Sequence, residues 1–151
     1  MSATGRLAEL GLVLPPVAAP AGMYVPAVRS GSLVFTSGQL PFVDGVLAAT
    51  GKLGAEIDSE RGQELARTCA LNAVAAVDDL VGLDAVVRVV KVVGFVASAP
   101  GFTAQPAVLN GASELLSKVF GPAGAHARSA VGVAELPLDA PVEVELIVEV
   151  S

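Results

Sequence analysis

Arg128 and Glu143 are the side chains in this sequence best suited to chemistry on a small anion. Each lies in a run that alternates with period two, His126-Ala127-Arg128-Ser129-Ala130-Val131-Gly132-Val133-Ala134-Glu135 and Val142-Glu143-Val144-Glu145-Leu146-Ile147-Val148-Glu149-Val150. Such alternation predicts two half-buried strands in which residues two apart share a face. Arg128 then shares its face with Ala130, Gly132 and Ala134, and three small residues beside a guanidinium predict open space there. The guanidinium fork can hold both oxygens of a carboxylate at once. A glutamate can take a proton from water and return it.

Arg128 also has a purely structural reading. If the two runs form a hairpin turning between Leu138 and Asp139, Arg128 stands opposite Glu149 and Glu143 opposite Ala134. Both glutamates then fall on the arginine's face, and a surface ion pair of about 0–1 kcal/mol competes with ligand binding. That register keeps Glu143 several residues from Arg128, so the two share at most a cleft. The other candidates carry similar alternatives. Glu143 reads also as a solvated strand residue. Tyr24, the only tyrosine, reads as packing with a bonded hydroxyl. Ser37 and Gly38 read as a strand end, although glycine there permits close approach by a ligand. Asn110 reads as a loop brace, Cys69 as core and His126 as a loop residue.

Composition narrows the function classes. At 151 residues the chain suits one ordinary domain. It is 53% hydrophobic and 16% charged, which excludes disorder, and its 4% aromatic content leaves the core to Val, Leu and Ala. So apolar a chain is expected to associate with copies of itself. A net charge of −6 disfavours nucleic-acid binding. One cysteine and one histidine exclude an intrachain disulfide and argue against a metal site or a His-based triad. No secretory leader and no membrane span are read, so a cytoplasmic protein is expected.

The elements that position these residues follow from caps and periodicity. An N-terminal arm over residues 1–20 carries a short helix, Thr4–Leu10, closed by Gly11, and then an extended stretch forced by Pro15, Pro16 and Pro20. A single domain over 21–151 is expected to follow. Val25–Val28 and Leu33–Ser37 predict strands, and Val43–Leu47 a weaker one interrupted by Asp44-Gly45. Asp58 predicts the cap of a long helix with Leu65, Cys69, Ala73, Ala76 and Leu80 facing inward, stopped by Gly82. Val86–Val96 predicts a central strand covered on both faces. A second helix from Thr103–Pro106 to Gly121-Pro122 turns Leu109, Ala112, Leu116 and Val119 inward, and the hairpin closes the chain. The fold class is α+β, a mixed sheet with two helices packed on one face.

With these residues in hand, the sequence resembles the RidA family of imine and enamine deaminases, also called YjgF, from roughly Tyr24 to Val148. The resemblance rests on Thr36-Ser37-Gly38-Gln39, Thr50-Gly51-Lys52, Phe95-Val96, Asn110, Ala127-Arg128-Ser129-Ala130-Val131 and Leu136-Pro137 followed by Val142-Glu143-Val144-Glu145. It implies a chorismate-mutase-like fold assembled as a homotrimer with pockets between subunits. It further implies hydrolysis of reactive 2-imino acids and their enamine tautomers to 2-keto acids and ammonia, without metal or organic cofactor. Arg128 would hold the substrate carboxylate and Glu143 would position or activate water. Tyr24, Ser37, Gly38, Asn110 and Ala130 would line the cleft, some from the adjacent chain. The best-known members carry cysteine where this chain has Ala130, and a larger residue where it has Gly132, so a wider pocket floor is expected. A non-catalytic trimeric binder of small carboxylates such as 2-keto acids is the alternative.

Overall fold

The computed structural model describes residues Met1–Ser151. Helix α1 (Ala3–Glu9) starts at Ser2, whose hydroxyl accepts from the Gly5 N–H, and it buries Leu7. Thr4 donates from both its N–H and its hydroxyl to the Asp84 carboxylate, at 3.1 and 2.9 Å, which ties the arm to a distant turn. Strands β1 (Ala27–Ser30) and β2 (Leu33–Thr36) pair as an antiparallel hairpin. The weak strand expected over Val43–Leu47 is instead a separate small hairpin, β3 (Phe42–Val43) with β4 (Val46–Leu47). Asp44 and Gly45 both have positive φ, 52° and 80°, the requirement of the tight turn that matches strand twist.

Helix α2 (Ser59–Val81) is capped by the Asp58 carboxylate, which accepts from the Arg61 N–H at 2.8 Å, and it stops at Gly82 with φ 80°. Leu65, Cys69, Ala73 and Ala76 are buried, but Leu80 is 44% exposed. Full burial along α2 ends at Val77, and in the last turn only Val81 packs partly against the core. Strand β5 (Val86–Ala97) follows, then helix α3 (Gln105–Phe120), in which Leu109, Ala112, Leu116 and Val119 are all buried. The chain ends with β6 (Ala127–Val133) and β7 (Val142–Val150).

The main sheet has the order β1-β2-β7-β5-β6, with β6 parallel to β5 and the other neighbours antiparallel. The expected β6–β7 hairpin is therefore corrected: β5 lies between the two strands. A nearly apolar strand gains most from ladder partners on both edges, and the Ala134–Pro141 connection steps over the end of β5 to supply them. The register changes with it. Arg128 stands opposite Val92, not Glu149, and Glu143 stands opposite Phe95, not Ala134.

Helices α2 and α3 cover one face of the sheet, where Val92, Val96, Val142, Val144, Leu146 and Val148 join Leu65, Cys69, Leu109 and Leu116 in one core. Each buried Val or Leu contributes about 1.5–3 kcal/mol. The opposite face lacks a layer in the single chain, which corrects the expectation that β5 is covered on both sides. Val28, Phe35 and Val131 on that face are 50%, 36% and 44% exposed.

Candidate functional site

Strand parity sorts the candidate residues into two groups. On β6, Arg128 shares a row with Val92 and Leu146, so its side chain rises on the helix-covered face. It stands at the sheet's edge, and α3 supplies its partners. Nη1 donates to Asn110 Oδ1 at 2.9 Å and to Ser113 Oγ at 3.2 Å, and Nη2 donates to the Pro106 carbonyl at 3.4 Å. All three acceptors are neutral. The ion pairs of the chain are Lys52–Glu135 and Arg61–Glu64, and Arg128 takes part in neither. A guanidinium has five N–H donors, so Nε and one Nη2 hydrogen keep their capacity for a ligand.

The space foreseen beside Arg128 is filled from the helix side. A Cβ at Gly132 would meet Gln105 Nε2 at 2.7 Å, and Ala130 packs against the core. The small residues let the start of α3 settle on the sheet. Within the single chain, Gln105 takes up the open space expected at Gly132.

Glu143 belongs to the other group. It shares a row with Phe95 and Val131 on the uncovered face, between core residues Val142 and Val144. Partial burial raises its carboxyl above the ordinary carboxylate range, and the Glu145 carboxylate adds to the shift. Gln39 and Val144 exchange backbone hydrogen bonds at 2.8 and 3.0 Å, which lays the Ser37–Gln39 segment along β7. A Cβ at Gly38 would strike the Glu143 carboxylate, so only glycine permits this approach. The Gly38 N–H donates to no group in the chain. Ser37 is spoken for: its N–H reaches the Pro26 carbonyl at 2.8 Å and its hydroxyl the Val25 carbonyl at 2.6 Å. Tyr24 is 50% exposed, and its hydroxyl accepts from the Ala21 N–H at 3.2 Å.

The structure thus brings Arg128 and Asn110 together, and Gly38 and Glu143 together, and separates the two pairs by the thickness of the sheet. Neither group encloses a ligand alone. The recess shared by Tyr24 and Gly38 has a volume of ≈ 30 Å³. A larger cleft of ≈ 720 Å³ lies between the arm, β3–β4 and α2, and it contains neither Arg128 nor Glu143.

Two further residues join the Arg128 group: Ser113, which the sequence reading did not single out, and His126, which it read as a loop residue and which lies in the loop before β6. Ser113 lies three residues after Asn110, on the same helical stripe, and His126 lies two before Arg128, just ahead of the strand. His126 bonds Ser113 Oγ through Nε2 at 2.9 Å and the Gly124 carbonyl through Nδ1 at 2.6 Å. Spacing was the only signal, and it does not say whom a hydroxyl serves.

Comparison with known proteins follows the whole chain. A family described as "YjgF/chorismate mutase-like, putative endoribonuclease" matches residues 4–150, which takes in most of the arm. Protein TCP17 of Trypanosoma cruzi is 50% identical over 99% of this chain and 97% of its own. The crystal structure of a "putative endoribonuclease" from Shewanella oneidensis superposes with a TM-score of 0.96 at 34% identity, covering 99% of this chain and 100% of that one. The crystal structure of E. coli TdcF with bound serine superposes with a TM-score of 0.65 at 30% identity, over 92% and 96% of the two chains. No helix is long and apolar enough to cross a membrane.

Proposed function

The chain belongs to the YjgF/chorismate mutase-like family, and from that premise we propose that it hydrolyses reactive 2-imino acids and their enamine tautomers to 2-keto acids and ammonia. The observation that carries this reading is the Arg128 guanidinium, oriented by three neutral acceptors and left without a carboxylate partner. A cation prepared in this way suits the carboxylate common to every 2-imino acid. Serine bound to TdcF, a protein of the same fold, supports an α-substituted carboxylate as the ligand class.

Because Arg128 and Glu143 lie on opposite faces, the pocket closes only when the β6 edge of one copy meets the uncovered sheet face of the next. Three copies in a ring satisfy that head-to-tail contact with no face left over. The exposed Val28, Phe35 and Val131 give the uncovered face an apolar surface for it.

The chemistry needs little more than placement. The imine carbon is electrophilic, and protonation of its nitrogen makes it more so. Arg128 and Asn110 hold the carboxylate end. Glu143 of the neighbouring copy takes a proton from water as the oxygen bonds to carbon, and returns it as the C–N bond breaks and ammonia leaves. Imine and water are consumed, and keto acid and ammonia are released. A carboxyl held above its usual range accepts and returns a proton more evenly near neutrality. The free Gly38 N–H is a ready donor to developing charge on oxygen.

The test generates 2-imino acids in situ with an amino-acid oxidase and follows their lifetime. Native protein is expected to shorten it, and Arg128→Ala to leave it at the uncatalysed value. Pyruvate binding with an unchanged imine lifetime would establish a carboxylate-binding protein instead.

A further inference from the structure

We propose that Ser113 and His126 are positioning residues that set the direction of the Arg128 guanidinium. This inference rests on Arg128 being the carboxylate holder, but its geometry stands by itself. The chain of contacts starts at a fixed point. Gly124 ends the turn Gly121–Gly124, is buried, and leaves no room for a Cβ against the Leu116 carbonyl. Its own carbonyl can only accept, so the hydrogen in the 2.6 Å contact belongs to His126 Nδ1. In the neutral ring, Nε2 then carries a lone pair and must accept. The group 2.9 Å away is the Ser113 hydroxyl, whose proton is therefore directed at the ring.

With that proton committed, the lone pairs of Ser113 Oγ face the remaining neighbour, Arg128 Nη1 at 3.2 Å. The imidazole thus does for Ser113 what a rotor lock does. A mid-helix serine otherwise turns its hydroxyl to the carbonyl one turn back, here Leu109, and gives up its aim. Asn110 Oδ1, on the same Nη1 at 2.9 Å, supplies the second fixed acceptor. Two acceptors on one nitrogen fix the plane of the fork and leave its unbonded hydrogens outward. A long cationic side chain held this way loses less freedom when an anion arrives.

His126 is the chain's only histidine, so its ring nitrogens give unambiguous NMR signals. Long-range proton–nitrogen spectra of the full-length protein are expected to show the Nδ1–H tautomer, and Ser113→Ala to shift the Nε2 resonance. The Arg128 Nε–H signal is expected to be ordered in the native protein and mobile in Ser113→Ala and His126→Leu. His126→Gln, which keeps an acceptor at the ε position, should restore much of that order. Titration with pyruvate should move Nε2 in the native protein and not in Ser113→Ala. In imine turnover, Ser113→Ala and His126→Leu should raise KM about tenfold while kcat stays within about twofold.

An Nε2–H tautomer, or an Arg128 side chain equally ordered in Ser113→Ala and native protein, would overturn the proposal. If pyruvate binding is indifferent to Arg128→Ala, the functional reading fails instead. The tautomer and the ordering of Arg128 still decide the positioning roles in that case.

Discussion

Strands β6 and β7 look alike as sequence and behave differently as structure. Both alternate, and both present one charged residue near their start. β6 lies at the sheet's edge and turns Arg128 toward α3, where amide, hydroxyl and carbonyl oxygens orient the cation without neutralising it. β7 lies in the sheet's interior and turns Glu143 to the uncovered face, where partial burial and Glu145 make its ionisation harder. One strand offers a held charge and the other a proton acceptor with raised affinity. Since the two face opposite ways, the proposed pocket draws them from two copies.

The sharpest way to break this comparison is Arg128→Ala. Removing a charge that faces a bound carboxylate should lower kcat/KM for 2-imino acids by about 10³-fold. Arg128→Lys should recover little, because an ammonium cannot reproduce the fork. Glu143→Gln is expected to cost about 10²-fold in kcat, with pyruvate affinity retained in calorimetry.

The pH dependence of Glu143 has a definite sign. The native rate should fall as pH drops through a carboxyl value above the usual range, and the Gln variant should lack that limb. Stability runs the other way. A raised folded-state value means that ionisation of Glu143 weakens the fold as pH rises from its unfolded value through its folded one. Glu143→Gln should therefore gain melting temperature relative to native protein across that interval, and match it below.

A mixing experiment tests the two-copy requirement directly. Equal amounts of Arg128→Ala and Glu143→Gln chains, unfolded and refolded together, should regain about one quarter of native activity, since random cyclic assembly gives that share of pockets both intact residues. No recovery would mean that each pocket takes Arg128 and Glu143 from the same chain. The smallest expected effect is at the approach to Glu143. Gly38→Ala should lower kcat about tenfold by displacing the carboxylate, with little change in melting temperature because the flexible Glu143 side chain can swing aside.

Local signals in the sequence located the helices well. Asp58, Gly82 and Gly121 mark ends whose chemistry is independent of the rest of the fold. The stripe through Leu109, Ala112, Leu116 and Val119 likewise depends only on helical period. Period two was equally reliable in saying which residues of β6 or β7 share a face. It could not say which strand lies alongside, and so it turned two strands flanking β5 into a hairpin and put Arg128 and Glu143 on one face. The small residues after Arg128 misled for a related reason. Their missing volume is real, but Gln105 from a distant helix occupies it at Gly132. The roles of Ser113 and His126 were illegible, although His126 was read as a loop residue, because what a hydroxyl or an imidazole does depends on the partner that tertiary structure supplies.

One further property follows from Cys69. Its sulfur lies beneath α2, fully buried, bonded to the Val142 carbonyl, and burial holds its thiol well above the ordinary range, with Glu143 adding to the effect. The position two residues after Arg128 is Ala130, and Cys69 is the chain's only cysteine. Hydrogen peroxide would meet no thiolate at the guanidinium and a buried thiol in the interior. Activity should therefore outlast exposure to peroxide that oxidises a cysteine-bearing pocket.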